Sequence, residues 1–162
     1  MNLDLINKKS SIYYNMHKGS LVTAGTIDKF NTMTIGWGVT GVLWGKDVFI
    51  AYVRPSRYTY QFMEENDYFT ISFYDDEYKK ELGYLGTKSG RDTDKVKDVN
   101  FTPVVVGESV SFKEANLTIL CKKIYYQDLD EKLFPEDVIL KYYPTEDVHR
   151  YYIGEIIDVI EH

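Results

Sequence analysis

The spacing of apolar and polar residues predicts that this chain is built mainly of β-strands. β-Branched and apolar residues alternate with polar ones in several runs bounded by turn-forming residues, as is typical of strands. The predicted strands lie at 20–27, 31–37, 47–53, 67–74, 116–129 and 149–162, with two shorter ones in FTPVVV and SVSFKEA. The first two turn at Asp28-Lys29, and we expect the long strand at 116–129 to be bent or bulged.

Short helices are predicted between the strands. Pro55 suits the first turn of a helix, where its missing N–H costs nothing, and Tyr58 and Phe62 continue that helix at helical spacing. The stretch DEYKKELGYLG predicts a helix closed by Gly86, and Asp92 is a candidate N-cap for a short helix after it.

These elements predict a mainly β fold that forms a single domain over residues 1–162. The chain contains no linker, low-complexity run or internal repeat, and its length is that of one ordinary domain. Because closure removes exposed strand edges, we expect an antiparallel barrel with a few flanking helices. The alternative is that the strand–helix–strand passage at 47–74 forms a parallel βαβ unit.

Composition narrows the classes of partner. The net charge of −6 argues against a nucleic acid, whose backbone requires a basic face, but leaves room for a small anion in a local cationic pocket. The single cysteine, Cys121, cannot form an intramolecular disulfide and is interpreted as a buried strand residue in a reducing compartment. No apolar run is long enough to cross a membrane, and the start lacks the apolar core of a signal peptide, so we expect a cytoplasmic protein.

The junction between the strand at 47–53 and the following helix is the first candidate binding site. If Pro55 is the first helical residue, Arg54 is the N-cap, and arginine cannot accept hydrogen bonds from the free amides. A bound anion would satisfy them, with help from Ser56, Arg57 and Thr59. The alternative is that both arginines are solvated or paired with Glu64 or Glu65.

A second candidate is GTKSGRDTDK, residues 86–95, where small residues and cations precede another helix. This stretch is either an anion-binding nest, with Lys95 reaching back, or a surface turn before a capped helix. Neither segment matches a Walker loop or a dinucleotide fingerprint.

The third candidate is the strand in FNTMTIGWG. Thr32 and Thr34 face one side of this strand, while Asn31 and Met33 face the other. Buried polar side chains need partners, and a ligand with several heteroatoms would supply them. The alternative is an edge strand with one solvated face.

Familiar catalytic patterns are missing from the sequence. It has no GxSxG or HExxH motif, and its three histidines and one cysteine argue against a metal site or a cysteine–histidine pair. If the protein is an enzyme, a cofactor carries the chemistry.

Four stretches, in order, resemble a known family. KGSLVTAGTIDKFNTMTIGWG, YVRPSRYTYQFMEENDYFTISFY, LGYLGTKSGRDTDK and HRYYIGEI resemble the flavin reductase-like family of FMN-binding split barrels, particularly its flavoredoxin-like branch. The resemblance runs from about Lys18 to Ile157. It implies a Greek-key antiparallel split barrel, a homodimer, and one FMN per subunit near the dimer interface.

The resemblance also implies which residues contact FMN. Those lining the isoalloxazine ring would be Asn31, Thr32, Met33 and Thr34, flanked by Trp37. Those serving the ribityl chain and phosphate would be Arg54, Ser56, Arg57, Tyr58 and Thr59, with Ser89, Gly90 and Lys95 closing over the same end. Those approaching the other side of the flavin would be His149 and Tyr151.

The function that follows is an FMN-dependent oxidoreductase. NADH or NADPH would pass a hydride to FMN N5, and the electrons would go to free flavin, a redox partner protein or a small acceptor. Stacking suffices for hydride transfer, so no side chain is assigned as acid, base or nucleophile. The alternatives are a non-catalytic FMN electron carrier and a split-barrel protein for another ligand, such as haem or a phosphorylated metabolite.

Overall fold

Nine β-strands and five α-helices follow one another along residues 12–162, the part of the chain that the computed structural model describes; side chains are described from Asn15. The strands are β1 (Ser20–Thr26), β2 (Lys29–Ile35), β3 (Gly38–Leu43), β4 (Lys46–Val53), β5 (Tyr68–Phe73), β6 (Pro103–Val106), β7 (Ser109–Phe112), β8 (Leu117–Asp128) and β9 (Arg150–Glu161). The helices are α1 (Ile12–Lys18), α2 (Tyr58–Glu65), α3 (Lys79–Thr87), α4 (Lys95–Asp98) and α5 (Glu136–Tyr142).

Seven of the strands form one sheet in the order β2-β1-β5-β8-β9-β4-β3, and β6 and β7 form a separate hairpin. Every neighbouring pair in the sheet is antiparallel. The sheet curls around one apolar core, and β2 and β3, although consecutive in sequence, lie at its two edges. The predicted mainly β, antiparallel split barrel with a few helices is therefore confirmed.

The alternative of a parallel βαβ unit at 47–74 is wrong. The strands β4 and β5, which flank α2 in sequence, are separated in the sheet by β8 and β9. The reason is that β9 pairs antiparallel with β4, with Tyr151 opposite Tyr52.

Two apolar clusters cover the two faces of the central strands. The barrel interior contains Val22, Phe49 and Tyr152, among others. On the other face of the sheet, Leu21 packs in a second cluster with Leu82 of α3. Because both of its faces are covered, the first six residues of β1 are buried in succession rather than alternating. Burying an aliphatic or aromatic side chain of this size contributes about 1.5–3 kcal/mol, so the two clusters fix the positions of β1 and β2 firmly.

The long strand β8 is bulged, as predicted. Its pairing with β9 shifts register between Leu120 and Cys121, and again between Lys123 and Tyr125. Cys121 is fully buried in the core, also as predicted, and burial raises the pKa of its thiol. The thiolate form is therefore not accessible at neutral pH.

Strand β3 was not predicted as a separate strand. Glycines at 36, 38 and 41 interrupt the alternation there, and β3 is an edge strand that pairs with β4. Trp44 and Gly45 connect the two strands with φ values of 54° and 71°, as a two-residue type I′ hairpin turn requires.

The predicted start of α2 is wrong by three residues. The helix begins at Tyr58 and its N-cap is Arg57, not Arg54. The amide of Arg57 donates to the carbonyl of Arg54 at 3.0 Å, so Pro55 and Ser56 form the corner of a turn that precedes the helix.

Two further helix ends differ from the prediction. The helix α3 continues through Gly86 to Thr87, so Gly86 does not close it. The N-cap of α4 is Asp94 rather than Asp92, because the Asp94 carboxylate accepts a hydrogen bond from the Lys97 amide at 3.3 Å. Asp92 instead belongs to the preceding turn, where its amide donates to the carbonyl of Ser89.

Candidate functional site

The two cationic segments that are far apart in sequence lie against each other. Residues from 56–59 and from 85–95 line a shared cavity of about 130 Å³, here called the basic pocket. Arg91 joins its two sides, because its Nη1 donates to the carbonyl of Ser56 at 3.3 Å and its guanidinium lies 4.8 Å from the Tyr58 ring centre. The fold thus places both candidate anion-binding segments in one pocket.

Four cations line the basic pocket, and none of them has an ion pair with a carboxylate among the described residues: Arg57, Lys88, Arg91 and Lys95. Lys95 is buried, and its ammonium donates to the carbonyls of Leu85 and Lys88 at 2.8 and 3.0 Å, at the end of α3. Burial, together with the charge of Arg57, lowers the pKa of Lys95 to about 8. The guanidinium of Arg57 makes no hydrogen bond or ion pair with any residue of the described range. An anion in the pocket would offset this repulsion.

The start of α2 adds to the positive potential. Its N-cap residue, Arg57, offers no side-chain acceptor to the first amides, and the N-terminus of a helix carries a partial positive charge.

Pairing of Arg54 or Arg57 with Glu64 or Glu65 is excluded. Glu64 binds Arg150 at 3.1 Å, and Glu65 lies 3.6 Å from Lys29.

Gly90 lies against Asn31 of β2 beside the basic pocket and lines a larger neighbouring cavity. A Cβ atom on Gly90 would lie 2.2 Å from Asn31 Oδ1 and 3.0 Å from the Tyr58 ring, so only glycine fits without a shift of the loop. On its other side, Asn31 donates to the hydroxyl of Thr59 at 2.7 Å. The adjacent Ser89 hydroxyl accepts a hydrogen bond from the Arg91 amide at 3.2 Å.

A second cavity, of about 200 Å³, continues from the basic pocket and is called the aromatic pocket. The two pockets share Met33 and Arg57. Its walls include Trp37, Tyr52 and His149. The His149 ring lies 4.5 Å from the partly exposed Trp37 ring, at an angle of 36°. Together the pockets form a groove that is cationic at one end and aromatic at the other.

His149 is a neutral imidazole at physiological pH. Burial lowers its pKa to about 4, with further lowering by Arg54 and Arg57 that Asp147 only partly offsets. Its Nδ1 forms a hydrogen bond of 2.8 Å with the Tyr143 hydroxyl. The ring can therefore contribute a hydrogen bond or a flat surface, but not a positive charge.

Tyr151 was expected beside His149, but it lines neither pocket. Its hydroxyl donates to Gln127 at 3.3 Å, and its ring packs near Tyr125 and Tyr52. It stands opposite Tyr52 in the sheet, and Tyr52 takes the place in the aromatic pocket.

Arg54 and Ser56 also differ from the expectation, since both bind groups of the protein itself between Tyr142 and Asp147. Arg54 donates to the carbonyls of Asp147 and Tyr142, each at 2.7 Å. The amide and hydroxyl of Ser56 both donate to the Asp147 carboxylate. An internal carboxylate therefore occupies the turn for which a ligand anion was expected, and Arg57 is the arginine left free.

The two threonines of β2 have protein partners. The Thr32 hydroxyl is buried, lies 2.8 Å from that of Thr23 and donates to the carbonyl of Val22 at 3.1 Å. The Thr34 hydroxyl donates to the carbonyl of Leu82 at 2.6 Å, although Thr34 also lines the aromatic pocket. A ligand is not needed to satisfy either side chain.

Among the residues at the site that were not singled out from the sequence, three contribute a charge or an aromatic ring: Arg91, Tyr52 and Asp147. Arg91 belongs to the quoted cationic stretch, and its charge was the available signal. Tyr52 alternates with the buried Ala51 and Val53 along β4, a position from which it can reach a pocket. Asp147 gave no signal, because its partners lie about ninety residues away in sequence.

A larger cavity of about 830 Å³ lies beyond Asn31 and Gly90. Its lining includes Asp28, Asp92 and Asp94 beside its cations, so it lacks the uncompensated positive charge of the basic pocket. Within the described range, no three His, Cys, Asp or Glu side chains are grouped so that they could hold a metal ion. None of the helices in residues 12–162 is long and apolar enough to span a bilayer.

The fold and the groove together define a split barrel whose groove is cationic at one end and aromatic at the other. Residues 14–162 match the model of the flavin reductase like domain. The chain therefore belongs to the flavin reductase-like domain family, and the resemblance drawn from its motifs is confirmed.

Solved structures share this fold. The flavoredoxin of Desulfovibrio vulgaris (Miyazaki F) is 24% identical, with a TM-score of 0.69 over 89% of this chain and 69% of that chain. An FMN-binding protein from Thermus thermophilus is 17% identical, with a TM-score of 0.70 over 88% and 69%. The NADH:FAD oxidoreductase SgcE6 of Streptomyces globisporus C-1027 is 13% identical, with a TM-score of 0.67 over 89% and 75%. No curated protein matches the chain.

Proposed function

We propose that this protein binds FMN in the joined pockets and acts as an NADH- or NADPH-dependent oxidoreductase. The observation that carries the proposal is that Arg57 and Lys95 both line one end of the groove and neither has a carboxylate partner among the described residues. The phosphate of FMN carries close to two negative charges and fits that end. The planar ring fits the other end, where Trp37 and His149 present flat surfaces.

The residues divide by the part of FMN that they would hold. Arg57 and Lys95, with the loop at Ser89 and Gly90, would hold the phosphate through charge-assisted hydrogen bonds worth about 1.5–3 kcal/mol each. Met33, which lines both pockets, would lie along the middle of the ligand.

When bound, FMN supplies the redox chemistry, since its ring accepts a hydride from a nicotinamide and passes electrons to an acceptor. The protein contributes binding and orientation. Because His149 is neutral, it contributes no proton at neutral pH and is not assigned as an acid. The proposed acceptor is free flavin or a redox partner protein.

The names of the structural relatives support this proposal. They include flavoredoxins, an FMN-binding protein and an NADH:FAD oxidoreductase. The sequence has no dinucleotide fingerprint, which agrees with a nicotinamide that stacks in the open aromatic pocket instead of entering a separate nucleotide-binding fold.

The test is the visible spectrum of the purified protein, before and after addition of a nicotinamide. We expect a yellow protein whose bound FMN loses its visible band when NADH or NADPH is added without oxygen. A flavin band that neither donor bleaches would refute the reductase. Bleaching without steady-state turnover of free flavin would instead indicate an electron carrier, and a red protein with a haem spectrum would refute flavin binding.

We further propose that the protein is a homodimer whose second copy covers the β3–β4 hairpin. Val42 in β3 and Trp44 in the hairpin turn are 73% and 66% exposed, and Val39, on the other face of β3, is 48% exposed. An apolar surface of this kind on a soluble barrel usually marks an interface. Light scattering should report a dimer that Trp44→Lys converts to a monomer, whereas Leu133→Lys, at a leucine that is 82% exposed and lies outside this hairpin, should leave it dimeric.

A further inference from the structure

Residues 142–149, here called the strap, join α5 to β9 and form one side of the aromatic pocket. The strap ends in His149, whose ring lies against Trp37. The helix before it, α5, has no buried residue, so packing of α5 does not hold the strap in place. Something else must fix it there.

The carboxylate of Asp147 is the first fixed point. It accepts hydrogen bonds from the Ser56 amide, at 3.1 Å, and from the Ser56 hydroxyl. It also lies 4.0 Å from the Arg54 guanidinium. These groups belong to the turn between β4 and α2, directly before the free Arg57.

Arg54 is the second fixed point and holds the strap at two places. Its Nη2 donates to the carbonyl of Tyr142 and its Nη1 to the carbonyl of Asp147, each at 2.7 Å. The guanidinium also lies 5.0 Å from the centre of the Tyr143 ring. One guanidinium therefore contacts both the beginning and the end of the strap.

The geometry points to Asp147 and Arg54 as positioning residues that latch the strap onto the β4–α2 turn and so place His149 against Trp37 in the aromatic pocket. The strap also has contacts outside the latch, because the buried Tyr143 ring stacks on Phe134 with centroids 4.9 Å apart and the Leu129 amide donates to the carbonyl of His149 at 3.0 Å. The latch adds the contacts that tie the strap to the β4–α2 turn. The latch also explains why Arg54 and Arg57 have different roles. Arg54 is used within the protein, and Arg57 remains available to a ligand.

If the protein binds FMN as proposed, the latch should affect binding of the flavin ring and not of the phosphate. Through His149, the latched strap forms part of the wall of the aromatic pocket, which has a volume of about 200 Å³. It holds a neutral imidazole at a fixed distance from the Trp37 ring. A loosened strap should weaken whatever stacks in that pocket.

The pKa of His149 in the flavin-free protein tests the latch. In Asp147→Ala, loss of the negative charge and opening of the strap change this pKa in opposite directions. The charged groups facing His149 are Arg54, Arg57 and Asp147, and its ring bonds the Tyr143 hydroxyl. If the strap stays closed, removal of the Asp147 charge lowers the pKa below about 4. If the strap opens, water reaches the imidazole and the pKa rises toward its ordinary value of 6.5.

We expect the pKa of His149 to rise in Asp147→Ala. NMR titration of the imidazole ring protons measures this pKa, and the His149→Gln variant assigns the signal. Glu146→Ala is the matched control, because it removes the same charge from an exposed neighbour. An unchanged or lowered pKa in Asp147→Ala, or an equal rise in Glu146→Ala, would overturn the proposal. Should Asp147→Ala not fold, Ser56→Ala removes one donor of the latch and should give a smaller rise; no rise would overturn it.

Flavin binding gives a second measurement. Asp147→Ala should weaken riboflavin and FMN by the same factor, several-fold, because the strap acts on the ring they share. A loss restricted to FMN would overturn the proposal by placing Asp147 at the phosphate. If the wild-type protein binds no flavin at all, the proposed function fails, while the titration still decides whether the latch exists.

Discussion

Arg57 repels Lys95 across the basic pocket, and no described carboxylate lies between them. This positive charge, added to burial, lowers the pKa of Lys95 to about 8, only slightly above neutral pH. Proteins seldom keep two such cations together without a counter-charge, because desolvation weakens their interaction with water while repulsion remains. The arrangement is understandable if its partner is a ligand that arrives with negative charge.

The first prediction separates the phosphate of the ligand from its ring. Arg57→Ala should weaken FMN by about 10- to 100-fold, the equivalent of one charge-assisted hydrogen bond of about 1.5–3 kcal/mol. Riboflavin, which lacks the phosphate, should lose little. Titration of each flavin by fluorescence quenching measures both affinities.

The control for Arg57 is Lys29→Ala, which removes the same charge from a side chain near Glu65, outside the basic pocket. Its effect on either flavin should be small. Equal losses of FMN and riboflavin in Arg57→Ala would show that Arg57 does not contact the phosphate.

The second prediction concerns pH. Above about pH 8, Lys95 loses its proton in the flavin-free protein. Binding of a dianionic ligand then either requires reprotonation of Lys95, which costs free energy, or takes place in a less positive pocket. FMN affinity should therefore fall as pH rises from neutral to about 9, while riboflavin affinity stays flat. Calorimetry in buffers of different ionisation enthalpy should also detect proton uptake on FMN binding.

Lys95→Met provides the control for the pH dependence, because it removes the titrating group. Its FMN affinity should be lower at neutral pH and nearly constant up to about 9. Since the ammonium also caps α3 through Leu85 and Lys88, this variant should be less stable than the wild type, and folding must be checked by circular dichroism. A wild-type decline that persists unchanged in Lys95→Met would contradict the assignment.

Some strands were predictable because half-buried strands leave a period of two in the sequence, as β4 shows from Phe49 onward. Strand β5 is buried from Phe69 to Phe73 and was predictable instead from its short run of aromatic and β-branched residues. Strand β3 shows no alternation of apolar and polar residues in its sequence, because it contains two glycines and lies at an exposed edge of the sheet. Local signals also placed the helix starts only to within a few residues, because the turn at Pro55 and Ser56 is fixed by the distant Asp147.

The site was predictable in its location but not in the use of each side chain. Charge alone identified both cationic segments, yet their meeting followed only from the family resemblance, because long-range contacts leave no local pattern. Arg54 and Arg57 look equivalent in sequence, and the difference between them comes from Asp147. Thr32 likewise looks available to a ligand until Thr23 is placed beside it.

The third prediction follows from that last pair. Thr32→Val keeps the shape of the side chain but leaves the buried Thr23 hydroxyl without the partner it has at 2.8 Å. The free energy of unfolding should fall by about 1–3 kcal/mol, while FMN and riboflavin affinities stay unchanged. Urea unfolding and flavin titration of the same variant measure both. A loss of flavin affinity at full stability would make Thr32 a ligand contact after all.

The fourth prediction concerns the loop that lines the basic pocket. Gly90→Ala places a Cβ atom 2.2 Å from Asn31 Oδ1, so either the loop at 89–91 or Asn31 must move. Because Asn31 also bonds Thr59, the change should distort the wall of the pocket and weaken FMN at least tenfold. Gly83→Ala is the matched control, since a Cβ there meets nothing within 4 Å and lies on the exposed side of α3. It should stabilise the protein by about 0.5–1 kcal/mol and leave flavin binding unchanged. FMN affinity that is equal in the two variants would mean that the close approach of Gly90 to Asn31 does not shape the binding site.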